Sequence, residues 1–440
     1  MRAILDPLWA FGLHRLPAMT NRRYSYNLKS MRKANGRLNR AGERRMAISI
    51  LAAVLGFACA HAASAVLIDC DFPGGNILVE KIENDDVLLK QDRRDTEGWW
   101  FYWYFRVKNA AGRRLNFRFC DGAPIGVRGP AVSHDEGSTW KWLGTETSTT
   151  NTFSYLFPDD ARPVRFSFGM PYTETNLAVF LKRFAGNPAI RTETLCVSRK
   201  GRPVEFLRLG RLDGSAKRRV FITCRHHCCE MMASYVAEDL MASVLGEDDL
   251  GRWYRDNIEV AVVPFVDKDG VEDGDQGKNR RPRDHNRDYD DSGIYPETRA
   301  IRARMPAWSG GRPLVAIDLH CPWIRAGESE HIYQVGRENA DSWARQQKFG
   351  TLLEAARRGP LPYRAADDLP FGQKWNTSKN YAAGVSFGRW SENVPGVCLS
   401  TTFEVPYANA SGAEVNADSA RAFGRDIALA LRSFLEQVQY

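Results

Sequence analysis

His227-Cys228-Cys229-Glu230 sets an imidazole and a carboxylate three residues apart, where an apolar run gives way to a helix-like pattern. At that spacing both side chains leave one side of a helical turn. A catalytic zinc ion takes three protein ligands and keeps a fourth position for water, and two histidines with one glutamate are a known ligand set. His320 is the candidate for the missing third ligand. It closes the apolar run Val315-Ala316-Ile317-Asp318-Leu319, and in α/β sheets the carboxyl ends of strands converge on the functional crevice. His226 competes with His227, but only His227 keeps the His-x-x-Glu register. Cys228, Cys229 and Cys321 flank these positions and could ligate or oxidise; burial as small hydrophobes is the commoner fate of free cysteine.

The elements around these residues fall into two patterns. From about Val66 to Met170 the chain reads as short strands, among them Trp99–Phe105, Leu115–Phe119 and Val164–Phe168, with turn signals such as Asn109-Ala110-Ala111-Gly112. The alternation predicts an antiparallel β-sandwich over residues 66–170. Its aromatic residues could form a carbohydrate-binding platform, but large aromatics more often bury their area in a core. Beyond Pro171, strands alternate with helices: strands at Arg219–Cys224, Asn257–Val266, Pro313–Leu319 and Gly396–Val405, helices at Cys229–Leu245 and Ser419–Val438. This predicts an α/β domain over residues 171–440 built on a largely parallel or mixed sheet flanked by helices. Asp267–Ser292, rich in Gly, Asp and Arg, reads as a long loop of the functional kind.

With 440 residues and 43% of them apolar, the chain can bury a substantial core. Its net charge of +8 resembles a nucleic-acid signal until it is located: residues 1–45 hold 11 Lys and Arg against Asp6 and Glu43. With those removed from 61 basic and 53 acidic residues, 50 and 51 remain, a net of −1. No nucleic-acid partner is implied. Arg44-Arg45-Met46 precedes the uncharged run Ala47–Ala60 and the small-x-small triplets Ala60-His61-Ala62 and Ala63-Ser64-Ala65. This reads as a secretory signal peptide, so residues 1–65 are expected to be an N-terminal extension and leader, with translation starting at Met46 and a secreted or periplasmic product. The run is too short for a permanent membrane span. Cys59 sits in a poor context for lipidation; the eight cysteines beyond it could form disulfides in an exported compartment.

Five motifs in order, His227–Glu230, Asp269-Gly270-Val271-Glu272-Asp273-Gly274, Asp284-His285-Asn286-Arg287, Asp318-Leu319-His320 and Thr402-Phe403-Glu404-Val405-Pro406-Tyr407, give the chain its resemblance to the zinc carboxypeptidase family. It resembles most the cytosolic-carboxypeptidase-like branch, which carries an N-terminal β-sandwich. The resemblance implies a carboxypeptidase-like mixed sheet, one Zn2+ per chain held by His227, Glu230 and His320, and peptide or protein C-termini as substrate. It makes Glu404 the general base that takes a proton from the zinc-held water and returns it to the leaving amine. Asn286 and Arg287 match the pair that grips the substrate's terminal carboxylate, and Asp284 matches the carboxylate that orients a zinc-bound histidine. An arginine of the same loop is expected to stabilise the oxyanion: Arg280 is the candidate, with Lys278, Arg281 and Arg283 as competitors. Counting back from Glu404 puts Arg389 in the pocket for the C-terminal side chain, which would favour acidic termini, and Tyr381 is the candidate mobile tyrosine.

Two other functions fit parts of the pattern. A zinc deacylase of acyl-amino acids would share His-x-x-Glu and a later histidine. A catalytically inactive module would bind peptide or glycan through the aromatic segment. Metal content and assays with peptide and acyl-amino-acid substrates separate the three.

Overall fold

A computed structural model describes residues 65–437; the leader expected over residues 1–65 lies outside the described residues but for its last. The first nine strands are β1 (Leu67–Asp69), β2 (Leu78–Glu83), β3 (Asp86–Lys90), β4 (Tyr104–Lys108), β5 (Arg114–Phe119), β6 (Ala131–Ser133), β7 (Lys141–Trp142), β8 (Thr152–Leu156) and β9 (Val164–Ser167). They form a five-stranded sheet, β1-β4-β9-β6-β7, and a four-stranded sheet, β2-β3-β5-β8. Along β5, Leu115, Phe117 and Phe119 are buried while Arg114, Asn116 and Arg118 face solvent, the period-two pattern of a strand with one face on a core. Phe117 stacks on its register partner Phe153 within the four-stranded sheet at 4.5 Å and meets Phe166 of the five-stranded sheet at 5.6 Å. Phe101, Trp103, Phe105, Phe117, Phe119, Phe153 and Phe166 are buried in this core.

Two expectations need correcting. The sandwich is not wholly antiparallel, because β3 and β5 run parallel. Trp99–Phe105 is a strand only from Tyr104 onward. The reason is where the backbone finds its partners: the N–H groups of Phe101 and Tyr102 donate to Gln276 Oε1 at 3.1 and 2.8 Å, and the Trp100 carbonyl accepts from Gln91 Nε2 at 2.6 Å. Side-chain amides take the place of a neighbouring strand.

After α1 (Glu174–Lys182) come β10 (Ile190–Val197), β11 (Pro203–Gly210), β12 (Arg218–Cys224), α2 (Met231–Leu245), α3 (Asp249–Asn257), β13 (Ile258–Val263), α4 (Lys268–Asp273), α5 (Pro296–Ser309), β14 (Leu314–His320), β15 (Tyr333–Gln334), α6 (Ala340–Ala356), α7 (Phe387–Ser391), β16 (Val397–Glu404) and α8 (Ala417–Gln437). The seven-stranded sheet runs β10-β11-β13-β12-β14-β16-β15. Strands β13, β12, β14 and β16 are parallel and the outer pairings antiparallel. Every residue of β13 and β14 is buried, as expected for parallel strands covered on both faces. The segment expected as a loop, 267–292, carries α4 and a 3-10 turn at His285–Arg287. One apolar core runs through sandwich and α/β lobe alike. The eight described cysteines are all free, and no described helix is long and apolar enough to cross a membrane.

Candidate active site

Strand β12 ends at Cys224, and the turn behind it is clamped by Arg225, a left-handed residue at φ 63°. Its guanidinium donates to the carbonyls of Cys228 at 2.9 Å and Tyr172 at 2.8 Å and to Ser234 Oγ at 3.0 Å. The turn carries His227, and Glu230 stands immediately before the first residue of α2. His320 is the last residue of β14, and Glu404, at the end of β16, is its register partner. Strand ends thus bring together residues up to 177 positions apart in the chain (227 to 404).

Two groups of donors lie close enough to hold a metal ion: His227, Glu230 and His320, and His226, Asp318 and His320, each set with ligand atoms within 4.8 Å of one another. In the first, His227 Nδ1 is 2.9 Å from Glu230 Oε1 and His320 Nδ1 is 2.7 Å from Glu230 Oε2. In the second the atoms are already engaged: His226 bridges Asp318 Oδ1 (2.8 Å) and the Tyr289 hydroxyl (2.7 Å), and Asp318 Oδ1 also accepts from Thr223 Oγ1 at 2.8 Å. The first group opens onto a cleft of about 330 Å³ through His227 and His320, whereas of the second only the shared His320 lines it. The two imidazoles and one carboxylate there suit zinc. Asp318 Oδ2, 2.8 Å from His320 Nε2, and Asp284, 3.7 Å from His227 Nε2, hold the far sides of the two rings. Burial works to raise the Asp284 carboxyl, but His227 and Arg287 outweigh it and hold it well below the usual carboxylate range.

Glu404 lines the same cleft, and its Oε2 is buried without a hydrogen-bond partner. Burial pushes its carboxyl up to about 7 against the pull of Lys278 and His320. Lys278 reaches in from the 267–292 segment, with Nζ 2.8 Å from Glu230 Oε1 and 3.0 Å from the Cys321 carbonyl. Burial opposes its charge, but Glu230 and Glu404 keep the ammonium ionised. Asn286 Nδ2 lies 3.1 Å from His320 Nε2 while its Oδ1 accepts from the Phe387 amide at 2.9 Å. Arg287 lines the cleft, bonded to the Asn380 carbonyl at 3.2 Å and seated 5.3 Å from the Tyr381 ring centroid. Tyr381 lines it too, its hydroxyl donating to Asn376 Oδ1 at 3.0 Å.

Two expected residues are elsewhere. Arg280 does not face the cleft: its Nε and Nη2 pair with Asp95 and Asp275 at 2.7 Å each, and Asp267 takes Nη1. Arg389 pairs with Glu338 and lies over Tyr381, outside the cleft lining. Carboxylates that the linear order does not advertise capture both. Cys228, Cys229 and Cys321 belong to neither donor group; burial raises their thiols, Cys229 to about 12, so they are neutral packing groups.

Arg337 carries no motif and was not expected. Just beyond β15, it is 5% exposed and lines the cleft. Its Nη2 reaches only the hydroxyls of Thr402 (3.0 Å) and Ser400 (3.4 Å), and its Nε has no partner. Among the described residues, no carboxylate pairs with Arg337 or Arg287. Gly388 in α7 makes room for Arg337, since a Cβ there would lie 2.1 Å from Arg337 Nη2. That close approach is the one sequence signal that could have pointed to it.

The sequence pattern of a zinc carboxypeptidase domain matches residues 178–412, the span holding every residue of this centre. The chain belongs to the zinc carboxypeptidase family. Cytosolic carboxypeptidase 6 of Caenorhabditis elegans is 21% identical over 378 residues, covering 78% of this chain and 79% of that protein. Human cytosolic carboxypeptidase 2 is 29% identical over 147 residues, 31% of this chain and only 16% of that longer protein. In fold, the chain is similar to a metallo-carboxypeptidase from Burkholderia cenocepacia (TM-score 0.68, 22% identity, 84% of this chain and 99% of that one). It is similar also to a Pseudomonas aeruginosa metallo-carboxypeptidase solved with (2-guanidinoethylmercapto)succinic acid (TM-score 0.68, 20% identity, 85% and 100%). As a zinc carboxypeptidase it is an enzyme of the hydrolase class acting on peptide C-termini, and the family's metal is zinc.

Proposed function

We propose that this chain removes C-terminal residues with acidic side chains, using His227, Glu230 and His320 to hold one zinc ion and Glu404 as general base. The observation that carries the catalytic part is the unpartnered Glu404 carboxylate oxygen, buried in the cleft onto which the donor triad opens. A zinc ion held by such a donor set acidifies water and polarises a carbonyl. Asn286 and Arg287 grip the terminal carboxylate and thereby fix which peptide bond lies over the donors. Glu404 takes a proton from the attacking water and delivers it to the amine as the C–N bond breaks. Lys278, rather than an arginine of its loop, faces the charge that develops on the carbonyl oxygen.

The preference for acidic side chains rests on Arg337. A buried guanidinium without a carboxylate is costly, and a substrate carboxylate would complete it. The experiment is metal analysis together with C-terminal trimming of a peptide library. One zinc per chain and release of Glu or Asp ahead of Leu or Lys are expected, with the preference erased in Arg337→Gln. Metal-bound protein that trims no peptide but hydrolyses acyl-amino acids would overturn the peptidase reading. Export belongs to the same reading: mature protein should begin after Ala62 or Ala65, which intact mass would show.

A further inference from the structure

Given that reading, the substrate's terminal carboxylate lies at Asn286 and Arg287, and contacts running from there give the cleft a direction. Asn286 touches His320. His320 touches Glu230, and Glu230 touches Lys278. The Lys278 ammonium lies 5.8 Å from the Trp100 ring centroid, and Trp100 packs on Trp323 at 4.9 Å. The chain upstream of the scissile bond must therefore leave past the two tryptophans, both of which line the cleft.

Trp323 is 38% exposed, and with Trp100 it gives the cleft an accessible aromatic wall. Trp100 is held by its Nε1 donating to the Glu97 carbonyl at 3.1 Å. Behind them Trp99 lies 5.5 Å from Trp323 and presses on Gly122, where a Cβ would fall 1.3 Å from Trp99 Nε1. The wall is thus backed by packing. Glu328, another residue of the lining, has its carboxylate occupied by Lys374 at 3.2 Å. What the wall offers is aromatic area, and a ring is the side chain that best matches it in offset or edge-on contact.

We propose that Trp100 and Trp323 form a subsite for an aromatic side chain at the penultimate position of the substrate. The sandwich lobe, through Trp100, then takes part in choosing substrates.

The test is calorimetric binding to zinc-loaded, full-length Glu404→Gln protein, with peptides sharing one terminal residue and differing only in penultimate Phe or Ala. The Phe peptide should bind about fivefold tighter. Adding Trp323→Ala should bring the ratio to about one, and Trp323→Tyr should restore part of it. A ratio near one before the tryptophan is changed, or a ratio that survives Trp323→Ala, overturns the subsite. Turnover of the same peptides by the wild type is read separately. An intact ratio without turnover supports the subsite and removes the hydrolytic reading instead.

Discussion

His320 and Glu404 face each other in register across the parallel strands β14 and β16, at the last residue of each. The backbone ladder, rather than loop packing, sets the separation between a metal donor and the proposed base. A site built on strands holds its geometry more tightly than one built on loops.

Glu404→Gln keeps the shape of the side chain and removes its proton chemistry. kcat should fall by about a thousandfold, while zinc content by elemental analysis stays at one per chain. Loss of metal along with activity would make Glu404 a ligand and overturn its role as base.

Lys278 and Arg280 are two positions apart and should fail in different ways. Lys278→Met should lower kcat about a hundredfold with KM nearly unchanged, as expected for a charge that acts in the transition state. Arg280→Met removes the guanidinium from buried Asp267 and from Asp95, leaves Asp275 with Arg94 alone, and should destabilise the fold by about 3 kcal/mol. Denaturant titration beside steady-state kinetics separates the two.

Gly388→Ala tests the seat of Arg337. The new methyl would meet only the end of a flexible side chain, so the melting temperature should change little. The guanidinium must move, and the ratio of kcat/KM for terminal Glu over terminal Leu should drop about tenfold. An unchanged ratio would remove Arg337 from the pocket's selectivity.

Asp368 sits behind β15, where burial pushes its carboxyl up to about 7 despite hydrogen bonds from Gln334 and Tyr363. An acid that holds its proton more tightly folded than unfolded adds stability that is complete below its unfolded pKa and fades as pH rises through the folded value. The wild type should therefore lose stability between about pH 4 and 7. Asp368→Asn should not share that loss, so its melting temperature should rise relative to that of the wild type across this window and the shift should level off above it.

The donors were legible because their residue types are scarce and fall at strand ends: with eight histidines in 440 residues, one that closes an apolar run stands out. The parallel core strands were legible for the same reason, as unbroken apolar runs bounded by polar turns. Arg280 and Arg389 misled because a count along the chain cannot tell which of several bases turns inward. That is decided by Asp267, Asp275 and Glu338, which reach the guanidinia only in three dimensions. The Trp99–Phe105 segment looked like strand because it is aromatic, while its backbone partners, Gln91 and Gln276, lie up to 175 residues away.

Gln276 is a small part with a wide reach. It docks the sandwich by accepting two of its backbone amides, and two positions later the chain delivers Lys278 to Glu230. Cutting the molecule at Met170 to obtain a minimal protease would leave one face of the fragment as bare aromatic surface prone to clumping, and would loosen the loop that presents the lysine. The lobe that carries none of the metal donors is thus a fixture of the enzyme, not a detachable accessory.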